Sequence, residues 1–171
     1  MEWYQKAANQ GYGLAQFALG VMYYEGEGVN QDYAKALEWY QKASKQGIDT
    51  AQYNLGYMYS KGKGVSMDFD QAVKWYQKAA NQGIASAQYN LAFKYSEVEG
   101  VRQDYAKAVK WYKKAANQGH AKAQNHLGYA YLKGQGVRQN KITAKEWYGK
   151  ACDSGLQLGC DSYRELNEQG Y

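Results

Sequence analysis

The chain has 171 residues, of which 45% are apolar, and it carries 19 Tyr, no Pro and a net charge of +5. This length predicts one domain. The lack of any run of about 18 apolar residues argues against a transmembrane helix, and no basic-then-apolar leader opens the sequence. Residues 1–85 hold eight basic and eight acidic side chains, whereas 86–171 hold 13 and eight, so an acidic partner is one candidate.

The segment WYQKAANQG at residues 3–11 recurs nearly unchanged at 39–47, 75–83 and 111–119. Five tryptophans share this register at intervals of 36 residues: Trp3, Trp39, Trp75, Trp111 and Trp147. A fixed period of this length indicates supersecondary units that bury their apolar faces by stacking on one another. The period therefore predicts an all-α fold built from repeated helix pairs.

The register divides this single domain into successive units. We expect a half repeat at 1–12, complete repeats at 13–48, 49–84, 85–120 and 121–156, and a C-terminal capping helix at 157–171. The last helix is more polar than its equivalents, as the end of a repeat stack requires. In the third repeat Val98 replaces the glycine found at Gly26, Gly62 and Gly134, which predicts a distorted turn at 97–100.

Each complete repeat predicts two helices. At 49–84 the first helix has an apolar face with the spacing i, i+4, i+7 and i+8, formed by Ala51, Leu55, Met58 and Tyr59. Gly62 is expected to end that helix, Asp68 to cap the second helix and Gly83 to end it. In every WY pair, we expect the Tyr to face its partner helix and the Trp to face the next repeat.

The residues from Ala51 to Gly83 follow the pattern A-x-x-x-L-G-x-x-Y-x-x-G-x-G-V-x-x-D, continued by W-Y-x-K-A-A-x-x-G. This pattern resembles the Sel1-like repeat, a relative of the tetratricopeptide repeat, and weaker copies extend over the rest of the chain. The resemblance implies a right-handed α-solenoid of antiparallel helix pairs. It also implies a non-enzymatic adaptor or scaffold in protein complexes, without naming the partner.

Two cysteines, Cys152 and Cys160, flank the turn between the last two predicted helices. Antiparallel helix ends meet at such a turn, so the pair suits a disulfide, while two reduced thiols packed as small apolar groups are the alternative. The spacing resembles in part the cysteine-rich secreted branch of Sel1-like proteins. A disulfide would favour a periplasmic or secreted location, and reduced thiols a cytoplasmic one.

The first helices carry polar and aromatic residues on the arc opposite their apolar face. In tetratricopeptide-like stacks this arc lines the concave surface, so we expect a groove that binds a peptide or protein segment. The candidate groove residues are Phe17, Tyr53, Asn54, Tyr57, Tyr89, Asn90, Phe93, His126 and Tyr129. The alternative is that these aromatic rings pack between successive first helices.

A basic stripe is predicted on the outer face of a second helix, at Lys107, Lys110 and Lys114. Simple solvation explains such a stripe, and an acidic protein is the next interpretation. Nucleic acid is disfavoured because the aromatic groove and the lysines would lie on different faces, whereas single-strand binding needs both in one channel.

The sequence contains few residues that could support catalysis. The chain has two histidines, His120 and His126, which are six residues apart. This spacing indicates surface substitutions rather than metal ligands, so no metal or cofactor is expected. Ser60 and Lys63 match the S-x-x-K motif of penicillin-binding enzymes, but Gly62 interrupts the helix that the motif needs. Because some cysteine-rich relatives carry β-lactamase labels, a secreted β-lactamase-like hydrolase remains an alternative. Oligomeric state is left open.

Overall fold

The computed structural model describes residues 2–97 and 102–171. These residues form ten α-helices and no strand: α1 Glu2–Asn9, α2 Gly13–Glu25, α3 Tyr33–Lys45, α4 Asp49–Lys61, α5 Phe69–Asn81, α6 Ala85–Ser96, α7 Tyr105–Asn117, α8 Ala121–Lys133, α9 Lys141–Asp153 and α10 Gln157–Glu168. The distorted turn predicted at 97–100 falls, apart from Glu97, outside the described residues. None of the helices is long and apolar enough to cross a bilayer.

The helices belong to two compact units, Met1–Ile84 and Ala85–Tyr171. In the first unit each of α1 to α5 packs against its neighbour in the chain, and in the second unit the same holds for α6 to α10. The repeated helix pairs predicted from the sequence are therefore present in both units.

Helix ends follow the repeat. The second helix of each pair begins at a capping side chain that accepts a hydrogen bond from the backbone N–H three residues later: Asp32, Asp68, Asp104 and Asn140. First helices α2, α4 and α8 end at Gly26, Gly62 and Gly134, whose left-handed backbone suits glycine. The predicted cap at Asp68 and the predicted stop at Gly62 are confirmed.

In three of the four complete repeats the tyrosine of the WY pair lies against a glycine of its partner helix, whereas Ala92 stands at that position in the repeat 85–120. A Cβ atom added to Gly20, Gly56 or Gly128 would approach the facing Tyr ring to 2.5–2.8 Å, which is closer than carbon atoms pack. The corresponding rings are those of Tyr40, Tyr76 and Tyr148, and all three are buried. This close approach confirms that the Tyr faces its own partner helix.

In the first unit Trp39 and Trp75 face the preceding repeat, so the expectation that they face the next one is wrong. Trp39 lies in a buried cluster with Ala8 of α1 and Leu19 of α2, and Trp75 packs against the cluster that α3 and α4 form. The reason is the helix period: Trp stands one residue before Tyr, so its side chain points about 100° around the helix from the Tyr. Its outer ring face is covered by a lysine three residues later, as with Lys42 over Trp39 at 3.8 Å.

In three of the complete repeats, a buried glutamine of the first helix forms a side-chain hydrogen bond with a glutamine that follows the second helix. Gln46, at the end of α3, donates from Nε2 to Oε1 of Gln16 in α2 at 2.8 Å, and Gln16 donates in turn to the carbonyl oxygen of Ala8 at 3.2 Å. The same side-chain bond joins Gln82 to Gln52 at 2.8 Å and Gln118 to Gln88 at 2.9 Å. These bonds satisfy polar groups that burial would otherwise leave unpaired.

The last repeat breaks this pattern twice. Ser154 stands where the donating glutamine is expected, and the buried Oε1 of Gln124 has no hydrogen-bond partner among the described residues. Further along, a disulfide joins Cys152 to Cys160, with Cα atoms 4.5 Å apart. These two positions correspond to Ala116 and Gln124 one repeat earlier, where the Gln124 side chain donates to the Ala116 carbonyl oxygen. A covalent bond therefore replaces a buried hydrogen bond.

We predict that Ser154→Gln stabilises the protein, because the new amide can donate to Oε1 of Gln124. Ser154 has φ −82° and ψ 10°, close to the −89° and 7° of Gln118, so the longer side chain starts from the same backbone. The gain in the free energy of unfolding should be about 1 kcal/mol, measured by urea denaturation. The reverse change, Gln118→Ser, should cost a similar amount. Equal stability of wild type and Ser154→Gln would contradict the account.

We predict that removing the disulfide by Cys152→Ser with Cys160→Ser lowers the free energy of unfolding by about 2–3 kcal/mol, from loop entropy. The matched variant Cys152→Ala with Cys160→Gln recreates the pair found one repeat earlier and should recover about 1 kcal/mol of that loss. Urea denaturation of the three proteins under oxidising conditions measures both effects. Identical stability of the two double variants would show that the glutamine does not replace the bond.

Candidate functional site

A pocket of about 510 Å³ opens in the first unit beside the carboxyl end of α2 and the middle of α4. It is lined by Val21, Tyr24, Glu25, Tyr40, Tyr53, Asn54 and Tyr57. Tyr40, whose ring lies against Gly20, forms one wall, and the carboxyl end of α2 supplies Tyr24 and Glu25. The same contact that fixes the helix pair therefore also provides one wall of the pocket.

The pocket walls bring polar side chains together. The Tyr40 hydroxyl lies beside the Asn54 side chain, and the Tyr24 hydroxyl lies beside Tyr57. Burial raises the pKa of Tyr40, and burial together with the neighbouring Tyr57, Tyr33 and Glu25 raises the pKa of Tyr24 to about 12. Both hydroxyls are therefore neutral at physiological pH and can donate as well as accept hydrogen bonds.

The second unit has an equivalent but smaller pocket of about 280 Å³. Its lining is Ser96, Tyr105, Ala108, Val109, Tyr112, His126, Tyr129, Ala130 and Gln135. Tyr112, His126 and Tyr129 lie two repeats, 72 positions, after Tyr40, Asn54 and Tyr57. The pocket is thus a repeated feature whose lining differs from one unit to the other.

His126 is part of an aromatic cluster in the second unit. Its ring stacks on Tyr112 with centroids 5.1 Å apart and planes 5° apart, and its Nε2 lies 3.4 Å from the Tyr89 hydroxyl. Phe93 contacts it edge-on at 5.8 Å. The imidazole fills space that a smaller asparagine leaves open at the equivalent position of the first unit, which accounts in part for the smaller pocket.

His120 and His126 are half-buried, so the prediction of surface substitutions is wrong for both. His120 caps α8, with Nδ1 accepting from the backbone N–H of Ala123 at 3.2 Å, and its ring stacks on Tyr89 at 4.7 Å. Burial lowers the pKa of His126, and burial with the nearby Lys122 lowers the pKa of His120. Both rings are therefore neutral at physiological pH.

The candidate groove residues fall into two groups. Five of them line a pocket: Tyr53, Asn54 and Tyr57 in the first unit, and His126 and Tyr129 in the second. The others, all half-buried, line neither of these two pockets: Phe17, Tyr89, Asn90 and Phe93. Phe17 packs on Tyr40 at 5.8 Å, and Phe93 stacks on Tyr89 at 6.2 Å. Tyr89 and Phe93 contact His126 of the next first helix, as the packing alternative expects, whereas Phe17 packs on its own partner helix.

Sequence reasoning left four residues of the first pocket off the candidate list: Val21, Tyr24, Glu25 and Tyr40. It considered the exposed arc of one helix, whereas the pocket needs the end of the preceding first helix and a second helix as well. A usable signal was present at position 24, where a tyrosine replaces the serine found at Ser60 and Ser96. A repeat position that departs from its equivalents is a better indicator of a site than a position that recurs.

Two of the three lysines in the predicted basic stripe contact other side chains of the protein. Lys107 forms an ion pair with Asp104 at 3.2 Å, and the Lys114 ammonium lies 4.2 Å from the Trp111 ring centroid. Lys110 is exposed. The Lys114 contact belongs to the same Trp–Lys pairing seen at Trp39, so it is a property of the repeat rather than a separate surface.

The residues that could support catalysis do not come together in one site. Ser60 lies in the last turn of α4 and donates to the carbonyl oxygen of Tyr57 at 2.8 Å, while Lys63 follows the helix and lies over the Tyr33 ring at 4.7 Å. The S-x-x-K motif needs its serine at the start of a helix, and here it is at the end. Within 2–97 and 102–171, no group of three His, Cys, Asp or Glu side chains could hold a metal ion.

A family model described as the Sel1 repeat matches residues 1–12, 13–48, 49–84, 85–120 and 121–156. The chain belongs to the Sel1 repeat family. Its fold is therefore an α-solenoid of helix pairs with a repeat of about 36 residues, as the sequence predicted. Sel1 repeats generally serve as protein–protein interaction modules.

Two solved structures show substantial sequence identity. The c5321 protein, a protective antigen of uropathogenic Escherichia coli with an SLR fold, is 39% identical over 99% of this chain, with a TM-score of 0.95. A Sel1 repeat protein from Oxalobacter formigenes is 39% identical over 96% of this chain, with a TM-score of 0.86. The chain spans only 36% and 47% of these two proteins.

A more distant similarity concerns the fold alone. The cysteine-rich protein B of Helicobacter pylori is 24% identical, with a TM-score of 0.61 over 77% of this chain and 94% of that protein. The search of curated proteins found no match.

We predict that His126→Asn reduces the pH dependence of stability. An unfolded imidazole has a pKa of about 6.5, and the folded value is lower, so the unfolded chain binds more protons as the pH falls. The stability contributed by neutral His126 is therefore fully present above about pH 6.5 and is lost progressively as the pH falls from there toward the folded pKa. Urea denaturation at several values between pH 7.5 and 5 measures this loss.

Asparagine is the matched replacement, because Asn54 and Asn90 occupy the equivalent positions. The difference in free energy of unfolding between the wild type and His126→Asn isolates this one ring, since His120 titrates in both proteins. Parallel pH profiles for the two proteins would contradict the assignment of His126 as a buried neutral ring.

Proposed function

We propose that this chain is a non-enzymatic interaction module that binds a peptide or protein segment through the aromatic surface of its first helices, the concave surface predicted from the sequence. The observation that carries the proposal is the recurrence of a tyrosine-lined pocket at equivalent positions of both units. Membership of the Sel1 repeat family supports a protein partner.

The chemistry of the pocket walls supports a peptide ligand. Tyrosine offers a large apolar ring together with a hydroxyl that donates or accepts a hydrogen bond, and such residues dominate binding energy at protein interfaces. Tyr129 is 44% exposed, although the remaining lining of its pocket is largely buried. Tyr57 of the first unit keeps part of its ring exposed in the same way.

The other candidate functions receive less support. Lys107 and Lys114 already contact Asp104 and Trp111, so the basic stripe gives less support to an acidic partner or nucleic acid. A β-lactamase-like activity would need a serine activated by a nearby base, and the Ser60 hydroxyl instead bonds to a backbone carbonyl.

The disulfide supports an oxidising compartment, either periplasmic or extracellular. Disulfides persist outside the cytoplasm and are rare inside it, where thiols are kept reduced. The bond between Cys152 and Cys160 replaces a hydrogen bond that other repeats use at the same place, so the cysteine pair adds stability at no cost to the repeat.

We predict that peptides selected from a random displayed library on the wild-type protein depend on Tyr57. Truncation of an aromatic residue central to an interface costs more than about 1 kcal/mol, so Tyr57→Ala should weaken binding about fivefold or more. Fluorescence anisotropy with labelled synthetic peptides gives the dissociation constants. Tyr57→Phe keeps the ring and should retain most of the affinity, provided that both variants show wild-type helicity.

Lys110→Ala serves as the control, because it removes an exposed side chain of the second unit outside both pockets. It should leave the dissociation constants unchanged. The proposal fails if no peptide is selected, or if the selected peptides respond to Lys110→Ala and not to Tyr57→Ala.

A further inference from the structure

The pocket of about 280 Å³ in the second unit, here called the His126 pocket, has an uncharged lining. Among the described residues that line it, none carries a charge at physiological pH, since His126 is a neutral ring. Aliphatic side chains at Ala108, Val109 and Ala130 form part of the wall, and aromatic rings form most of the rest. Sites for drug-sized ligands are larger, at roughly 300–1,000 Å³. The pocket therefore suits one side chain of a partner.

Three of the four hydroxyl groups in this lining have partners within the chain. Ser96 Oγ lies 3.2 Å from the Tyr112 hydroxyl, and Gln103 Nε2 donates to the Tyr105 hydroxyl at 2.9 Å. The fourth hydroxyl belongs to Tyr129, which is 44% exposed and so reaches solvent. Polar groups that are already paired need no polar ligand. The surface that the pocket presents to a partner is therefore mainly rings and methyl groups.

The equivalent pocket one repeat later is charged. It has a volume of about 270 Å³, and its lining includes Lys133, Lys141 and Glu165. Glu165 stands 36 positions after Tyr129, so a carboxylate replaces an aromatic ring at the same place in the repeat. The uncharged lining is therefore a property of the His126 pocket and not of the repeat.

Neutral side chains contact His126 from both neighbouring helices. Its ring contacts Tyr89 and Phe93 of α6 and stacks on Tyr112 of α7. Burial raises the pKa of both tyrosines, so their hydroxyls stay protonated, and burial lowers the pKa of His126. Protonation of His126 would place a positive charge among these rings and beside any apolar ligand in the pocket.

Other titratable groups lie near this cluster but outside the lining. His120 stacks on the Tyr89 ring at 4.7 Å. The Glu97 carboxylate pairs with the Lys94 ammonium at 3.3 Å and acts on Tyr89. None of these three charged or titratable side chains lines the pocket. Among the described lining residues, His126 is therefore the one whose charge changes between pH 7.5 and pH 5.

We propose that the His126 pocket binds an uncharged apolar side chain of a partner peptide, such as leucine, and binds it only while the His126 ring is neutral. The proposal rests on the proposed function and names the residue class and the pH range that this subsite accepts. Burial of a charge without a partner costs free energy. A lysine or glutamate of the peptide, or a protonated His126, would each carry that cost.

The test uses the tripeptide N-acetyl-Gly-Leu-Gly-amide and three analogues in which glutamine, lysine or glutamate replaces leucine. Binding is followed by NMR through the ring signals of protein labelled with ¹³C-histidine and ¹³C-tyrosine, a method that detects millimolar dissociation constants. The variants His126→Asn and Tyr129→Phe assign the two signals from the pocket. At pH 7.5 the leucine peptide should shift both signals at a concentration at which the three analogues leave them unshifted.

The same titration at lower pH tests the need for a neutral ring. Burial holds the pKa of His126 below its ordinary value of about 6.5, so the dissociation constant should stay constant above that pH. Below the folded pKa the constant should rise by up to about tenfold per pH unit, because only the neutral form binds. Reciprocally, a saturating leucine peptide should move the midpoint of the His126 titration to lower pH.

The decisive variant is His126→Asn, followed through the Tyr129 signal. Asparagine occupies the equivalent positions Asn54 and Asn90 and does not titrate, so this variant should bind the leucine peptide equally at pH 7.5 and pH 5. His120→Asn is the matched control, because asparagine also accepts a hydrogen bond at the start of a helix and His126 remains. Its pH dependence should match that of the wild type.

The proposal is overturned if the leucine peptide shifts neither signal, or if glutamine, lysine or glutamate binds as well as leucine at pH 7.5. It is also overturned if His126→Asn keeps the pH dependence of the wild type or His120→Asn abolishes it. The library-selected peptides separate this failure from failure of the proposed function. Peptides that depend on Tyr57 but leave the His126 and Tyr129 signals unshifted would leave the interaction function standing and remove this subsite.

Discussion

The contact between a tyrosine ring and a helix glycine is the constraint on which the rest of the structure depends. Because Gly20 has no side chain, the Tyr40 ring lies directly on α2 and brings α2 and α3 close together. The Trp beside that Tyr is thereby directed to the preceding repeat, and the glutamine at the end of α3 comes within hydrogen-bond distance of Gln16. The same ring then forms one wall of the pocket. Stability and the candidate site of the first unit therefore share one interaction, which recurs between Gly56 and Tyr76 and between Gly128 and Tyr148.

Differences between repeats, rather than the repeat itself, distinguish the candidate sites. Asparagine at position 54 leaves a wide pocket beside Tyr40, whereas histidine at position 126 stacks on Tyr112 and occupies part of the equivalent space. Lys94 forms an ion pair with Glu97 in the second unit, whereas methionine stands at the equivalent position 22 of the first unit. One architecture thus presents two surfaces of different size and charge. A chain of near-identical units can vary its ligand preference in this way without altering the contacts that hold the units together.

The fold could be predicted from the sequence because the repeat supplies the same observation several times. The helix pairs, the cap at Asp68, the stop at Gly62 and the Tyr contact with its partner helix all follow from local spacing. The direction of the Trp was mispredicted because the sequence does not say which neighbouring repeat a side chain contacts. The pocket was found only in part, since Tyr24 and Tyr40 come from separate helices, and burial of the two histidines depends on Tyr89 and Tyr112. Such properties depend on side chains meeting in space, which single-helix patterns do not contain.

The most direct test of the account is a crystal structure of the protein with a library-selected peptide. The account predicts peptide density in the pocket of the first unit, in contact with Tyr24 and Tyr57, with the Tyr40 ring still lying on Gly20. Peptide density over Lys110 on α7, with that pocket empty, would contradict it.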